Sequence, residues 1–303
     1  MRYVNEMAAP AKFLVYTTVG VSEEYVKCAG MLLASLRAYT SRDSIHLVDV
    51  LVLCDDSVQD SVRQMINDHN VAMMLTPAAD AEAGKEQQQQ HQEGGLHAAC
   101  FAFEKAANGV QASVNKLRVF DFTGVSGKDY DIVMFLDADM LCLTDVAHFL
   151  TGVTIDARRP LCAFKETVNT RQHQNVFFAP KKNHYSAEDL KGFERDRVYP
   201  FNAGCFLFSP TKDMAHHFRA VLEEIRECKT AYFYEQSHMN SYFNTRRLVD
   251  YGVITASNYV IHPRVQTNHA GKMVHFTGKP GDGRNKQDVM LGYIKRFALP
   301  IQS

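Results

Sequence analysis

At 303 residues, 46% hydrophobic and 22% charged, the chain can bury one large core or two smaller ones. Its 33 basic and 34 acidic residues leave a formal net charge of -1, which gives no case for a broad nucleic-acid or anionic-membrane surface and leaves only a local basic cluster open. No apolar run reaches the roughly 18 residues that a membrane span needs.

The predicted elements alternate. KFLVYTT (12–18) reads as a buried strand. The longer apolar stretch Phe13 to Val21 could suggest a leader peptide. Lys12 precedes it, two threonines interrupt it and no small-residue cleavage site clearly follows, so a strand in a cytoplasmic protein is expected. Glu23 to Tyr39 spaces Val26, Ala29, Leu32, Leu33 and Leu36 as one face of a helix. IHLVDVLVLCDD (45–56) is a second strand, Val58 to His69 a helix and VAMML (71–75) a third strand. Residues 76–95 are a polar, low-complexity tract that reads as a mobile surface loop. Lys116 to Phe122 closes another helix, and IVMFLDAD (132–139) is a fourth strand. LCAFKE (161–166), YPFNAGCFLFSP (199–210) and MVHFTGKPG (273–281) add strands, and YEQSHMNSYF (234–243) starts a helix. The irregular stretch 169–200 is rich in Lys, Arg, His and Asn. This order predicts an α/β fold, a Rossmann-like and mostly parallel sheet flanked by helices. No linker divides the chain, so residues 1–303 form a single expected domain, with a nucleotide-binding half (about 12–145) and an acceptor-binding half (about 146–303). The seven cysteines form no C-x-x-C pair and most sit in apolar strings, as buried thiols do in a reducing compartment.

The acidic pair Asp137 and Asp139 ends the fourth strand. Strand alternation sends both side chains to one face, roughly 6.6 Å apart along the strand. Two converging carboxylates repel unless a cation lies between them, and Mg²⁺ or Mn²⁺ with a substrate diphosphate suits such oxygen ligands. The D-x-D spacing alone is weak, because Asp129-Tyr130-Asp131 repeats it at a solvated strand start. Phosphatases with an aspartyl nucleophile place Thr two residues after such a pair, where this chain has Leu141.

FLDADMLCL together with the Asn202-Ala203-Gly204, Glu235-Gln236 and HFTGK segments resembles the glycogenin-like retaining glycosyltransferases of family 8, over about residues 12–281. That resemblance implies a GT-A fold and Mn²⁺ (or Mg²⁺) held by Asp137, Asp139 and His275. It implies a UDP-hexose donor, such as UDP-glucose, UDP-galactose or UDP-N-acetylglucosamine. The nucleobase would meet Tyr16, Thr18 and Tyr25. Lys116 would contact donor phosphate or sugar, with Ala138 between the acidic ligands. Asn202, Ala203 and Gly204 would line the sugar pocket. Glu235 and Gln236 would lie beside the anomeric carbon, and Gly278 and Lys279 against the diphosphate. The chain departs from the family pattern in running Gly278-Lys279-Pro280 directly and in having no tryptophan, which leaves Lys279 or Arg284 for the diphosphate. Each of these residues also has a purely structural reading: Asn202 as a turn cap, Tyr25 as core, His275 as a satisfied strand histidine. The acceptor, whether glycan, protein or lipid-linked, is left open. The alternatives are a sugar-nucleotide hydrolase or nucleotidyltransferase, and a non-catalytic sugar-nucleotide-binding module.

Overall fold

The computed structural model describes residues 11–68, 72–74, 97–103, 112–126, 130–166, 188, 191–192, 195, 199–227, 235–261, 263, 267–277 and 284–297. The predicted loop at 76–95 lies outside them, as does most of 169–200.

The first unit is strand β1 (Phe13–Val19), helix α1 (Glu23–Tyr39), strand β2 (Val48–Asp55) and helix α2 (Gln59–Asp68). Strands β3 (Ala72–Met74) and β4 (His97–Phe103) follow, then a 3₁₀ segment (Ala112–Asp121), a turn of helix α3 (Thr123–Ser126) and strand β5 (Ile132–Leu136). The remainder is β6 (Met140–Cys142), α4 (Val146–Thr151), β7 (Leu161–Lys165), β8 (Phe201–Phe208), α5 (Lys212–Glu227), α6 (Glu235–Thr245), β9 (Val249–Asp250), β10 (Tyr259–Ile261), β11 (Met273–His275) and α7 (Lys286–Phe297).

Eight strands form one sheet in the order β3-β4-β2-β1-β5-β8-β7-β9. β3, β4, β2, β1 and β5 pair in parallel, and β8 runs antiparallel to both β5 and β7. Every residue of β2 is buried, the near-continuous apolar run of a strand covered on both faces. β1 alternates: Phe13, Val15 and Val19 pack with α1, α2 and α4, and Leu14 and Tyr16 with the 3₁₀ segment and α5. Helix α5 buries Met214, Phe218, Val221 and Ile225, one helical stripe worth about 2 kcal/mol per side chain.

The helices α3, α4, α5 and α7 and the strands β6, β9 and β10 were not predicted, and two further differences bear on the sheet. The predicted helix ending at Phe122 is the 3₁₀ segment. Val114, Leu117 and Phe120 recur every third residue and all are buried, which is the period of a 3₁₀ turn. Strand β4 was not predicted. It inserts between β2 and β3 and pairs with both.

Strand order reverses at β1 and β5, since β2 continues on one side of β1 and β5 on the other. Ligands of open α/β sheets bind outside the carboxyl ends of the strands at such a switch point. Immediately beyond β5 the chain turns and leaves the sheet. β6 then joins a second, three-stranded sheet in the order β10-β11-β6. α7 and part of α1 cover that sheet through Cys28, Leu141, Val274, Met290 and Tyr293. Ser35 of α1 ties it down: its hydroxyl accepts the Cys142 N–H at 2.8 Å and donates to the Leu32 carbonyl at 2.7 Å.

The six described cysteines are all buried. Burial pushes the thiols of Cys28, Cys142 and Cys162 up to about 12, as expected of packing residues and not of nucleophiles. Among the described residues no helix is long and apolar enough to cross a membrane.

Candidate active site

Asp137, Ala138 and Asp139 do not continue strand β5 as predicted. They form the turn between β5 and β6, at the seam of the two sheets. Two backbone hydrogen bonds and two strand registers position the turn. The Asp137 N–H donates to the Gly204 carbonyl at 2.8 Å, and the Phe276 N–H donates to the Asp139 carbonyl at 3.0 Å. Antiparallel pairing of β6 with β11 sets His275 opposite Met140. Antiparallel pairing of β8 with β5 matches Cys205 to Leu136, so Asn202, Ala203 and Gly204 extend beside the turn.

The turn brings two carboxylates and one imidazole together. His275 Nε2 lies 3.5 Å from Asp137 Oδ2 and 3.2 Å from Asp139 Oδ1, and the ligand atoms of the trio all fall within 4.8 Å of one another. Neighbouring ligands at about 2.1 Å from one octahedral ion stand about 3 Å apart, so these separations suit a divalent cation. Nε2 is buried and makes no hydrogen bond of good geometry. A buried nitrogen left so between two carboxylates fits a metal ligand better than a core histidine. Gly204 closes one side of the cradle. A Cβ built there would stand 2.2 Å from His275 Cε1 and 2.7 Å from Asp137 Oδ2, so any side chain would force the imidazole or the carboxylate to move.

The charges respond to this crowding. Burial, opposed by Lys116 and His275, leaves the Asp137 carboxyl above its ordinary range. Burial would also raise Asp139, but His275 and Lys286 beside it bring it down to about 2.

Lys116 is 2% exposed and anchors the other side of the turn. Its ammonium lies 3.2 Å from Asp137 Oδ1, 3.2 Å from Glu235 Oε1 and 3.1 Å from the Ala203 carbonyl, over the Phe135 ring. Burial would lower its pKa, but Asp137 and Glu235 reverse that and hold it above the ordinary lysine value. Tyr16 does not face the mouth of the sheet. It is fully buried among Phe135, Phe206 and Phe208, and its hydroxyl donates to the Lys116 carbonyl at 2.9 Å. The expected nucleobase contact is therefore corrected for Tyr16: its side chain is core and supports Lys116. Lys116→Met is expected to cost about 3 kcal/mol or more in urea denaturation, because it strands two partly buried carboxylates. An unchanged unfolding midpoint would show that the ammonium is not paired as described.

Helix α6 presents Glu235 and Gln236. Gln236 Oε1 accepts the Ala203 N–H at 2.8 Å. The helix is held to β8 by Asn240, which the sequence reading missed. Its Oδ1 accepts the Phe201 N–H at 2.7 Å and its Nδ2 donates to the Phe201 carbonyl at 2.9 Å. Glu235 and Gln236 therefore keep a fixed register against Asn202, Ala203 and Gly204.

Thr18 is half-buried near the carboxyl end of β1, and Ala138 is packed in the first core. Tyr25, half-buried in the first turn of α1, meets Lys286, a second residue that the sequence reading missed. Lys286 Nζ donates to the Tyr25 hydroxyl at 3.1 Å and ion-pairs with Asp139. Its backbone N–H donates to Glu24 Oε1 at 2.7 Å. A signal existed: a lysine in the first turn of a helix opposes the dipole and needs another reason to be there. Tyr259, also missed, is buried behind His275. Gly278 and Lys279 fall outside the described residues, and Arg284 is exposed.

A sequence model of Glycosyl transferase family 8 matches residues 16–280. No curated protein matches. Among solved structures, the apo form of the WbbM bifunctional glycosyltransferase aligns over 96% of this chain and 50% of its own, at 16% identity and TM-score 0.61. The apo form of the glycosyltransferase GlyE of Streptococcus pneumoniae TIGR4 aligns over 93% of this chain and 60% of its own, at 12% identity and TM-score 0.55. A second GlyE structure aligns over 94% and 60%, at 14% identity and TM-score 0.53. The chain thus spans between half and three-fifths of the length of these structures, and at such identities the likeness shows the fold.

Proposed function

The chain belongs to glycosyl transferase family 8, and from that premise we propose that it transfers a hexose from a UDP-sugar to an acceptor hydroxyl, with retention of configuration. The observation that carries this reading is the trio of half-buried Asp137 with buried Asp139 and His275 at the switch point of the sheet. Those three side chains would hold Mn²⁺ or Mg²⁺, which supplies Lewis-acid neutralisation of a departing diphosphate.

The chain's own groups do the remainder. Lys116 and Lys286 contribute fixed positive charge on either side of the acidic turn, where negative charge develops on the leaving group. Asn202, Ala203 and Gly204 face the sugar from β8. Gln236 is oriented by the Ala203 N–H. Tyr25 and Thr18 border the nucleobase from the first strand and helix. Glu235 is paired with a buried ammonium at 3.2 Å. A carboxylate held that way is a weak nucleophile, which favours same-face attack by the acceptor over a covalent sugar adduct. The oxocarbenium-like transition state is then flanked by Gln236 and the departing phosphate, which takes the acceptor proton. Residues 1–303 act as one domain in this account, with the acceptor bound by the half after residue 146.

The test is a product assay with a panel of UDP-sugars and hydroxyl acceptors, with Mn²⁺ and with chelator. Metal-dependent transfer with release of UDP is expected. Free sugar without transfer would replace this reading with a hydrolase, and pyrophosphate with a nucleotidyltransferase. Binding of UDP with no turnover of any donor would mark a non-catalytic module.

A further inference from the structure

We infer that Tyr259 is the positioning residue of the cation site: its hydroxyl fixes His275 in the tautomer whose Nε2 lone pair faces Asp137 and Asp139. The inference rests on the proposed metal site and goes beyond it, because Tyr259 touches neither carboxylate.

The hydrogen bonds determine the direction of the chain one link at a time. The Gly204 N–H can only donate, and it points at Asn202 Oδ1 at 2.9 Å. That contact orients the Asn202 amide, since the reversed amide would set two donors against each other. Asn202 Oδ1 is therefore an acceptor, and the Tyr259 hydroxyl donates to it at 3.2 Å. The phenol has one proton, and Asn202 Oδ1, which can only accept, receives it as a hydrogen bond. With that proton committed, the Tyr259 oxygen can only accept from His275 Nδ1, 2.7 Å away. Nδ1 then carries the hydrogen of the neutral ring. In that neutral ring Nε2 is left as a lone pair, the form that ligates metal, whereas the ion pair of His275 with Asp139 belongs to the doubly protonated ring of the metal-free site.

The packing keeps each member in place. Tyr259 is 1% exposed, its ring lies 4.8 Å from that of Phe164, and β10 pairs with β11 so that Ile261 sits beside His275. Gly204 serves twice, as the donor that starts the chain and as the space that His275 and Asp137 need. Asn202, expected in the sugar pocket, thus also ends a relay that runs from β8 through β10 to β11.

The test compares wild type, Tyr259→Phe and Asn202→Asp. Phenylalanine keeps the ring packing and removes the hydroxyl. Aspartate at position 202 keeps both acceptor contacts. Mn²⁺ affinity is measured without donor by electron paramagnetic resonance. The His275 tautomer is read by long-range ¹H–¹⁵N NMR on the metal-free protein in alkaline solution, and melting temperature is followed in chelator. Wild type should show a protonated Nδ1. Tyr259→Phe should lose about 10- to 100-fold in Mn²⁺ affinity, the usual effect of removing a histidine's outer partner. It should also gain the Nε2–H tautomer while its melting temperature in chelator stays close to that of wild type. Asn202→Asp should retain the wild-type tautomer. A wild-type ring protonated on Nε2, or a Tyr259→Phe protein with unchanged affinity and tautomer, would overturn the inference. Wild type that binds no Mn²⁺ at all would instead refute the metal site, and the tautomer reading would still judge Tyr259.

Discussion

Asp139→Asn is expected to lower metal-dependent sugar transfer by about 10³-fold or more, equivalent to about 4 kcal/mol of transition-state stabilisation. The substitution is nearly isosteric. The backbone of residue 139 is held independently, through its carbonyl and the Phe276 N–H at 3.0 Å. The turn should therefore survive, and circular dichroism in chelator should match wild type. What changes is the chemistry of one proposed ligand. Asp139 is 3% exposed, and His275 and Lys286 keep it ionised down to about 2 after opposing the effect of burial. An amide there offers a neutral oxygen and leaves Asp137 as the sole charged ligand. Steady-state assays across a Mn²⁺ titration are the check. Wild-type rates in the variant, or wild-type rates in chelator, would exclude a metal role for this residue.

Gly204→Ala is expected to damage the same site by a different route. The added methyl would meet His275 Cε1 at 2.2 Å, Asp137 Oδ2 at 2.7 Å and Asn202 Oδ1 at 2.8 Å. Contacts of that length cannot stand. Gly204 is tied to the acidic turn through its carbonyl, which accepts the Asp137 N–H at 2.8 Å, so the strain falls on His275 and Asp137. Overpacking in a tight interior costs about 1–3 kcal/mol, which should lower the melting temperature by several degrees. Displacing two of three ligands should also reduce Mn²⁺ binding by more than tenfold. Calorimetry and metal titration on one sample separate the two effects. Unchanged metal affinity would mean that β8 does not form the wall described.

Much of this arrangement was legible in the chain. Strand and helix periods placed β1, β2, α1, α2 and β8 within a few residues, because buried parallel strands and amphipathic helices carry strong local patterns. The acidic pair was readable as a metal motif, yet its setting was not. Met140, Leu141 and Cys142 continue the apolar run of Ile132 to Leu136, and nothing local shows that the chain turns at Asp137 and enters a second sheet. Strand β4 escaped because HAACFAF lacks the β-branched residues that mark strands. A different reason hid Tyr259, which carried no local signal, and Lys286, which carried only its place in the first turn of α7. Tyr259 is 16 residues from His275, and Lys286 is 147 residues from Asp139. Their roles exist only once β10, β11 and α7 have packed around the turn. Tyr16 shows the reverse error: a strand tyrosine near the binding edge looked like a ligand contact, and alternation turned it into the core.

The central claim is that one cation is held by Asp137, Asp139 and His275 with a donor diphosphate completing its shell. Crystals grown with Mn²⁺ and UDP, with data collected to give the anomalous signal of manganese, test it most directly. The account predicts a single anomalous peak within ligating distance of His275 Nε2 and one oxygen from each aspartate, bridged to the two phosphates of UDP. A trio without that peak, with manganese or UDP bound elsewhere on the protein, would contradict it.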